Sequence, residues 1–496
     1  MNLMYHSTRS RSNKVTASQA ILQGLSKDGG LYVPDSLPKL DKTIEELSKL
    51  SYQELAYEVM KMFFTDFTED ELKLCISKAY DDKFDTKEIA PTVKVGDNYY
   101  LELFHGETIA FKDMALSILP HLLITAANKN KIEDEIVILT ATSGDTGKAA
   151  LAGFADVKST KIIVFYPKNG VSSVQEKQMV TQKGDNTFVI GIEGNFDDAQ
   201  TGVKEIFNNN DLASKLKEAG YILSSANSIN IGRLVPQIVY YIYSYVSLFK
   251  SGEIKLGDKI NYVVPTGNFG NILAGYYAKS MGLPINKLIC ASNENKVLYD
   301  FFKTGKYDKD RDFVLTSSPS MDILVSSNLE RLLYSIGDQE EEGTLDLMNS
   351  LNNKGYYEIS KDMLSKLDDF YGGWANNSET CKTISEVYKE TGYVLDTHTG
   401  VAANVYDKYI NETKDDTKTI IVSTASPYKF GDNVLKAIYE GEIPSDDYQQ
   451  AKLLEELSKV NIPLAVAELE SAEVRHNAIC DKSEMEKSIK NILKIV

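Results

Sequence analysis

The chain has 496 residues, with 43% hydrophobic and 25% charged residues, the balance of a soluble globular protein with room for roughly three domains. Its formal net charge of −17 argues against nonspecific nucleic-acid binding and against docking on an anionic membrane, so any anion must be held by locally basic side chains or backbone N–H groups. Cys75, Cys290, Cys381 and Cys480 lie far apart with no CxxC pair, which indicates no metal cluster and no disulfide framework, and suits a reducing, cytoplasmic compartment. The stretch Met1 to His6 lacks a long apolar run, so no signal peptide is expected. No apolar run reaches the length of a membrane span. The nearest candidate, Ile238 to Phe249, is short and carries four tyrosines.

In chain order, residues 1–91 read as a mainly helical region. Thr16-x-x-Gln19, Ser51-x-x-Glu54 and Thr68-x-x-Glu71 have the spacing of capping boxes and open three helices. Asp28-Gly29-Gly30 ends the first, and Leu31 to Pro34 is extended. A hairpin is predicted from Thr92 to Leu103 around Gly96-Asp97-Asn98. Buried strands follow at Ile136–Thr140, Lys161–Tyr166, Thr187–Ile192, Tyr221–Ser224, Ile260–Val264, Lys287–Ala291 and Thr419–Ser423, with helical patterns between most of them. Such alternation predicts parallel sheets covered by helices, with ligands at the carboxyl ends of the strands. Residues 300–390, rich in Lys, Asp, Glu, Asn and Ser, read as a helical insertion. The expected division is 1–91, a large domain of 92–140 and 225–496, and a small domain of 141–224.

Five stretches could carry chemistry. Lys112 stands between Ile109-Ala110-Phe111 and Met114-Ala115-Leu116. Apolar surroundings lower a lysine pKa and free a nucleophilic amine able to attack a carbonyl; the same setting also suits a snorkelling surface lysine. Thr140 to Ala150 follows a strand, opens a helix and includes Ser143, Gly144, Asp145, Thr146 and Gly147, an anion cradle or an ordinary N-cap. Val264 to Gly275 repeats that placement; Gly267, Asn268, Phe269, Gly270 and Asn271 could wrap a phosphate, or form a plain strand–helix turn. Ser224 to Arg233 brings Asn227, Ser228 and Arg233 to a helix start, with Pro236 expected in its first turn; these groups fit a phosphate or carboxylate, or merely cap the helix. Ser423 to Phe430 offers Thr424 after a buried strand, and His398 reads as structural. One reactive lysine with two anion sites describes a pyridoxal-phosphate (PLP) enzyme with a phosphorylated or carboxylate substrate.

These motifs, in this order, resemble the long microbial and fungal type of threonine synthase. The resemblance rests on His6-Ser7-Thr8-Arg9 and Asp28 to Pro34, on Phe104 to Thr108 with Ala110 to Asp113, on Ser143 to Gly147, on Asn227 to Asn230 with Arg233, and on Gly267 to Asn271. It implies the tryptophan-synthase β-like fold: two open, mostly parallel α/β sheet domains with PLP between them. The implied reaction is β,γ-replacement on O-phospho-L-homoserine, giving L-threonine and phosphate. By the resemblance Lys112 is the Schiff-base lysine and proton shuttle. Gly267, Asn268, Phe269, Gly270 and Asn271 hold the cofactor phosphate, and Thr424 faces the pyridine nitrogen. Asn227, Ser228 and Arg233 take the substrate phosphate with Ser143 and Thr146, and a monomer is favoured, with a weak homodimer as the alternative. Two positions depart from relatives: Ser426 replaces a common histidine, and Asp145 replaces the asparagine of shorter relatives, which leaves the partner of the cofactor 3′-oxygen open. The competing readings are a dehydratase of the same fold, which has no second phosphate to bind, and a non-catalytic relative, which has no need of an intact Lys112 and glycine loops.

Overall fold

The computed structural model describes residues 2–142 and 144–495. Its strands, in chain order, are β1 (Tyr5–Ser7), β2 (Ser10–Val15), β3 (Tyr32–Pro34), β4 (Thr92–Val95), β5 (Asn98–Glu102), β6 (Glu135–Ala141), β7 (Thr160–Pro167), β8 (Thr187–Glu193) and β9 (Tyr221–Ser224). There follow β10 (Ile260–Pro265), β11 (Ile285–Ser292), β12 (Lys306–Asp308), β13 (Tyr356–Glu358), β14 (Phe370–Trp374), β15 (Thr419–Ser423) and β16 (Ala478–Asp481).

Two sheets dominate. One has the order β14-β11-β10-β15-β5-β4, parallel except where β4 meets β5; the other, β16-β8-β7-β6-β9, is parallel throughout. Their strands read as unbroken apolar runs because each face packs on its own core. In β6 and β7, Ile136, Ile138, Ile162 and Val164 enter the main core, while Val137, Leu139, Ile163 and Phe165 enter a second one beneath the helices Phe196–Asn208 and Met485–Leu493. In the larger sheet Tyr262 and Val264 face the main core and Val263 the opposite layer. Each fully buried side chain of this kind contributes about 1.5–3 kcal/mol.

The expected strands and hairpin all form, and Thr16, Ser51 and Thr68 each make a complete capping box. Several boundaries differ. β6 belongs to the five-stranded sheet, so residues 135–140 do not go with the larger one. The last residues also cross over: β16 extends β8 in parallel, and Met485, Ile489 and Leu493 pack under the same sheet. Neither β16, four residues long with only Cys480 buried, nor its helix carries a pattern that names its partner. The segment 300–390 is not a helical insertion alone, since it supplies β14 to the larger sheet and the β12–β13 pair. The N-terminal region adds an antiparallel sheet, β2-β1-β3, which the sequence pattern hides because β2 is polar and β1 spans three residues.

The helix Ile231–Lys250 explains the tyrosine-rich apolar run as core. Tyr240, Tyr241 and Tyr245 are fully buried, with hydroxyls donating to Asn271 Oδ1 (2.8 and 2.7 Å) and to the Asp258 carbonyl (2.8 Å). Among the described residues no helix is long and apolar enough to cross a membrane. Pro236 sits inside this helix rather than in its first turn, because the Asn230 side chain caps Gly232 N–H (2.9 Å) and starts the helix at Ile231.

Candidate active site

The Lys112 segment is laced to the turn after β15. Leu103 N–H donates to the Ser423 carbonyl (2.9 Å), Phe111 N–H to Thr424 (2.8 Å), and Ser426 N–H to Ile109 (3.0 Å). Ile109 takes a left-handed φ of 53°, a strained conformation for a β-branched residue. Asp113 closes the loop from inside, accepting from Thr108 N–H (2.8 Å) and Thr108 Oγ1 (2.6 Å), and burial pushes its carboxyl up to about 6. A Cβ on Gly106 would lie 2.6 Å from Asp113, so only glycine lets the loop close.

Lys112 is thereby held in the interior, 8% exposed. Its Nζ lies 3.1 Å from Ser320 Oγ and 3.4 Å from Asp145 Oδ2. Burial, aided by the charges of Lys429 and Arg233, lowers the amine from the ordinary lysine value, with Asp145 in partial opposition. Asp145 opens the helix after β6. It accepts from Ser320 Oγ (2.8 Å) and Gln175 Nε2 (2.8 Å), and it pairs with Lys429 Nζ (3.1 Å). Burial alone would raise its carboxyl; Lys429, Lys112 and His398 outweigh that and hold it well below the usual carboxylate range. Lys429, fully buried, also donates to the Thr108 carbonyl (2.8 Å).

The Gly267 loop follows β10. A Cβ on Gly267 would lie 2.7 Å from the Ser320 carbonyl, and Phe269 adopts a left-handed φ of 64°. The Gly267 and Asn268 carbonyls are tied back by Ser326 Oγ (2.7 Å) and by Asn328 N–H and Nδ2 (3.1 and 3.0 Å). The helix Gly270–Ser280 has no side-chain cap at its N-terminus, which leaves its first-turn N–H groups to an anion. A Cβ on Gly270 would make only ordinary contacts, 3.5 Å from Asn328 Nδ2, and Asn271 keeps a buried Nδ2 without a partner among the described residues.

Arg233 lies in the first turn of the Ile231–Lys250 helix, 4% exposed. Its Nη1 donates to the Ala226 carbonyl (2.8 Å), its Nε is unpartnered, and burial lowers it to about 10. Asn227, Ser228 and Thr146 are half-buried, and Thr424 is buried at the strand end. Ser143 lies outside the described residues.

Lys112 and Lys429 thus face one firmly charged carboxylate, Asp145, with the Arg233 charge acting on Lys112, and among the described residues Arg233 Nε and Asn271 Nδ2 are buried without partners. This donor set fits a phosphate-bearing group, and a buried amine whose pKa is lowered by burial fits its carbonyl. Sequence reasoning missed Ser320, Lys429 and Gln175. Ser320 sits on a turn at Pro319–Met321 within the supposed insertion, and only the fold brings it to Lys112. His398 Nε2 accepts from Ser320 N–H (3.2 Å), and its Nδ1 faces Asp396 Oδ1 (2.9 Å).

Comparison with known proteins bears on the family of the chain. The family descriptions "Threonine synthase N terminus", "Pyridoxal-phosphate dependent enzyme" and "Threonine synthase, C-terminal" match residues 4–80, 90–425 and 399–487. "Threonine synthase-like 1" of Macaca fascicularis is 41% identical over 88% of this chain, and the chain spans 60% of that relative's length. The threonine synthase of Saccharomyces cerevisiae is 37% identical, over 92% of this chain and 93% of the relative. Among solved structures, the PLP-bound threonine synthase of Brucella melitensis superposes with a TM-score of 0.84 at 34% identity, over 99% of both chains. The chain belongs to the threonine synthase family of pyridoxal-phosphate-dependent enzymes.

Proposed function

We propose that this chain converts O-phospho-L-homoserine and water into L-threonine and phosphate, with pyridoxal 5′-phosphate as cofactor. That makes it a carbon–oxygen lyase acting on phosphate, at the last step of threonine biosynthesis. The observation that carries the reading is the buried excess of positive charge about Lys112, flanked by two strand-end loops with unpartnered donors at Arg233 and Asn271. Two such sites suit a cofactor phosphate and a substrate phosphate; a dehydratase needs one.

When bound, the cofactor supplies a carbonyl that exchanges amines and a ring that accepts electrons from carbon. The N–H groups of Gly267, Asn268, Phe269, Gly270 and Asn271 hold its phosphate, and the Thr424 hydroxyl serves its ring nitrogen as a neutral partner. Lys112 Nζ, in the role of Schiff-base lysine, takes the substrate Cα proton and later returns protons to the carbon skeleton. Burial shifts its pKa down, toward the free amine that proton transfer needs. Arg233, with Asn227, Ser228, Thr146 and Ser143, receives the substrate phosphate and stabilises the charge that grows as the Cγ–O bond breaks. A cytoplasmic monomer, with a weak homodimer as the alternative, goes with this reading, and the four cysteines are free.

Protein incubated with PLP and O-phospho-L-homoserine should release threonine and phosphate in equal amounts, and Lys112→Ala should abolish both. Phosphate with 2-oxobutyrate and no threonine would overturn the reading in favour of a simple elimination.

A further inference from the structure

The N-terminal motifs act on the site through one helix, Leu329–Ile336. Arg9 Nε and Nη2 donate to the Glu330 carboxylate (2.9 and 2.8 Å), and Thr8 Oγ1 donates to it as well (2.5 Å). His6 Nε2 lies 2.7 Å from the Tyr334 hydroxyl. Arg331, on the same helix, is 1% exposed. Its Nε donates to the Tyr32 carbonyl in β3 (3.0 Å), its Nη2 to the Ile229 carbonyl (2.6 Å) and its Nη1 to Asn328 Oδ1.

Asn328, fully buried, stands just before this helix and between the two anion loops. Its N–H and Nδ2 both donate to the Asn268 carbonyl (3.1 and 3.0 Å). The same Nδ2 lies 3.3 Å from the Ser228 carbonyl and 3.4 Å from Ser228 Oγ. A guanidinium has donors only, so Arg331 fixes which end of the amide faces it, and Nδ2 must face the loops. One amide therefore holds the Gly267 loop and the Asn227 loop together, and one buried arginine fixes that amide to β3.

We infer that Asn328 and Arg331 are positioning residues that set the spacing of the two anion loops, so that cofactor-phosphate and substrate-phosphate binding are tuned together and depend on the docked N-terminal sheet. The naming of the two anions rests on the function proposed above. The geometry of the bracket does not.

Asn328→Asp is the discriminating variant. It keeps the oxygen that Arg331 holds, so the fold is retained, but it replaces the shared donor with a second acceptor aimed at two carbonyls. The PLP dissociation constant and the KM for O-phospho-L-homoserine should each rise by about tenfold or more. The kcat should change by less than about threefold, since no reacting atom is touched. Asn328→Ala should raise the same two constants, with a lower melting temperature. Arg331→Lys, which keeps charge but loses the fork, should behave like Asn328→Ala. A rise in only one constant, or a fall in melting temperature with both constants unchanged, would overturn the inference. Should the wild type form no threonine, the functional reading fails alone. Dissociation constants of PLP, and of inorganic phosphate from the PLP-loaded protein, then decide the coupling by the same criterion.

Discussion

Lys429 Nζ lies 3.1 Å from Asp145 Oδ1, and this ion pair joins the two sheets. Lys429 stands after β15 of the larger sheet, and Asp145 heads the helix after β6 of the smaller one. Asp145 in turn bonds Ser320, so three separate stretches meet at one carboxylate beside Lys112. Removing that carboxylate leaves buried cations facing one another. Asp145→Asn should destabilise the cofactor-free protein by about 3–5 kcal/mol, read as a lower urea midpoint. The double variant with Lys429→Met should recover part of the loss, because the orphaned charge is gone. Additive losses would show that the pair is not coupled.

Gly267 owes its identity to the Ser320 carbonyl, 2.7 Å from where a Cβ would stand. Gly267→Ala must push the Pro319–Met321 turn away from Lys112, a displacement that costs about 1–3 kcal/mol. The variant should fold, lose PLP on dialysis faster than the wild type and show a lower threonine-forming rate. Unchanged cofactor retention would show that the close approach is not used.

Arg233 has a guanidinium Nε with no partner among the described residues. Arg233→Gln should lower kcat/KM for O-phospho-L-homoserine by about 10- to 100-fold, the value of one or two charge-assisted hydrogen bonds. PLP affinity should stay close to wild type. Equal loss of both would place Arg233 on the cofactor instead.

His105 bridges Asp85 Oδ1 (2.5 Å) and Glu102 Oε2 (2.9 Å). Burial opposes its charge, but the two carboxylates prevail and raise it from 6.5 to about 9. A folded pKa above the unfolded one gives stability that is fully present below 6.5 and is lost as pH rises through 9. The contribution is on the order of 3 kcal/mol. His105→Asn should therefore narrow its stability gap to the wild type between about pH 6 and pH 10 in urea titrations. A gap that stays constant would remove the ionic account.

The sequence made the strands and the buried Lys112 segment legible because both are local signals. A buried parallel strand is a short apolar run, and Lys112 sits inside one continuous motif. The four strand-end loops were legible for the same reason: each is a strand, a small-residue turn and a helix start. Ser320 was not, because it lies in a polar stretch with no periodicity and reaches Lys112 only by long-range folding. Lys429 lies within the Ser423 to Phe430 stretch, yet nothing local distinguishes a lysine that pairs with Asp145 from one that meets solvent. The swap of the last strand into the smaller sheet escaped for a related reason, since a four-residue strand with one buried side chain does not encode its neighbour. The N-terminal motifs were visible as motifs, but their target, the helix Leu329–Ile336, was set by tertiary packing alone.

The most direct test of the central claim is to run the reaction in ¹⁸O-labelled water and locate the label by mass spectrometry. Replacement at carbon, with Lys112 moving protons and Arg233 receiving the phosphate, is expected to put ¹⁸O in the threonine hydroxyl and none in the released phosphate. Label in phosphate, with homoserine as the other product, would mean cleavage at phosphorus and would contradict the account.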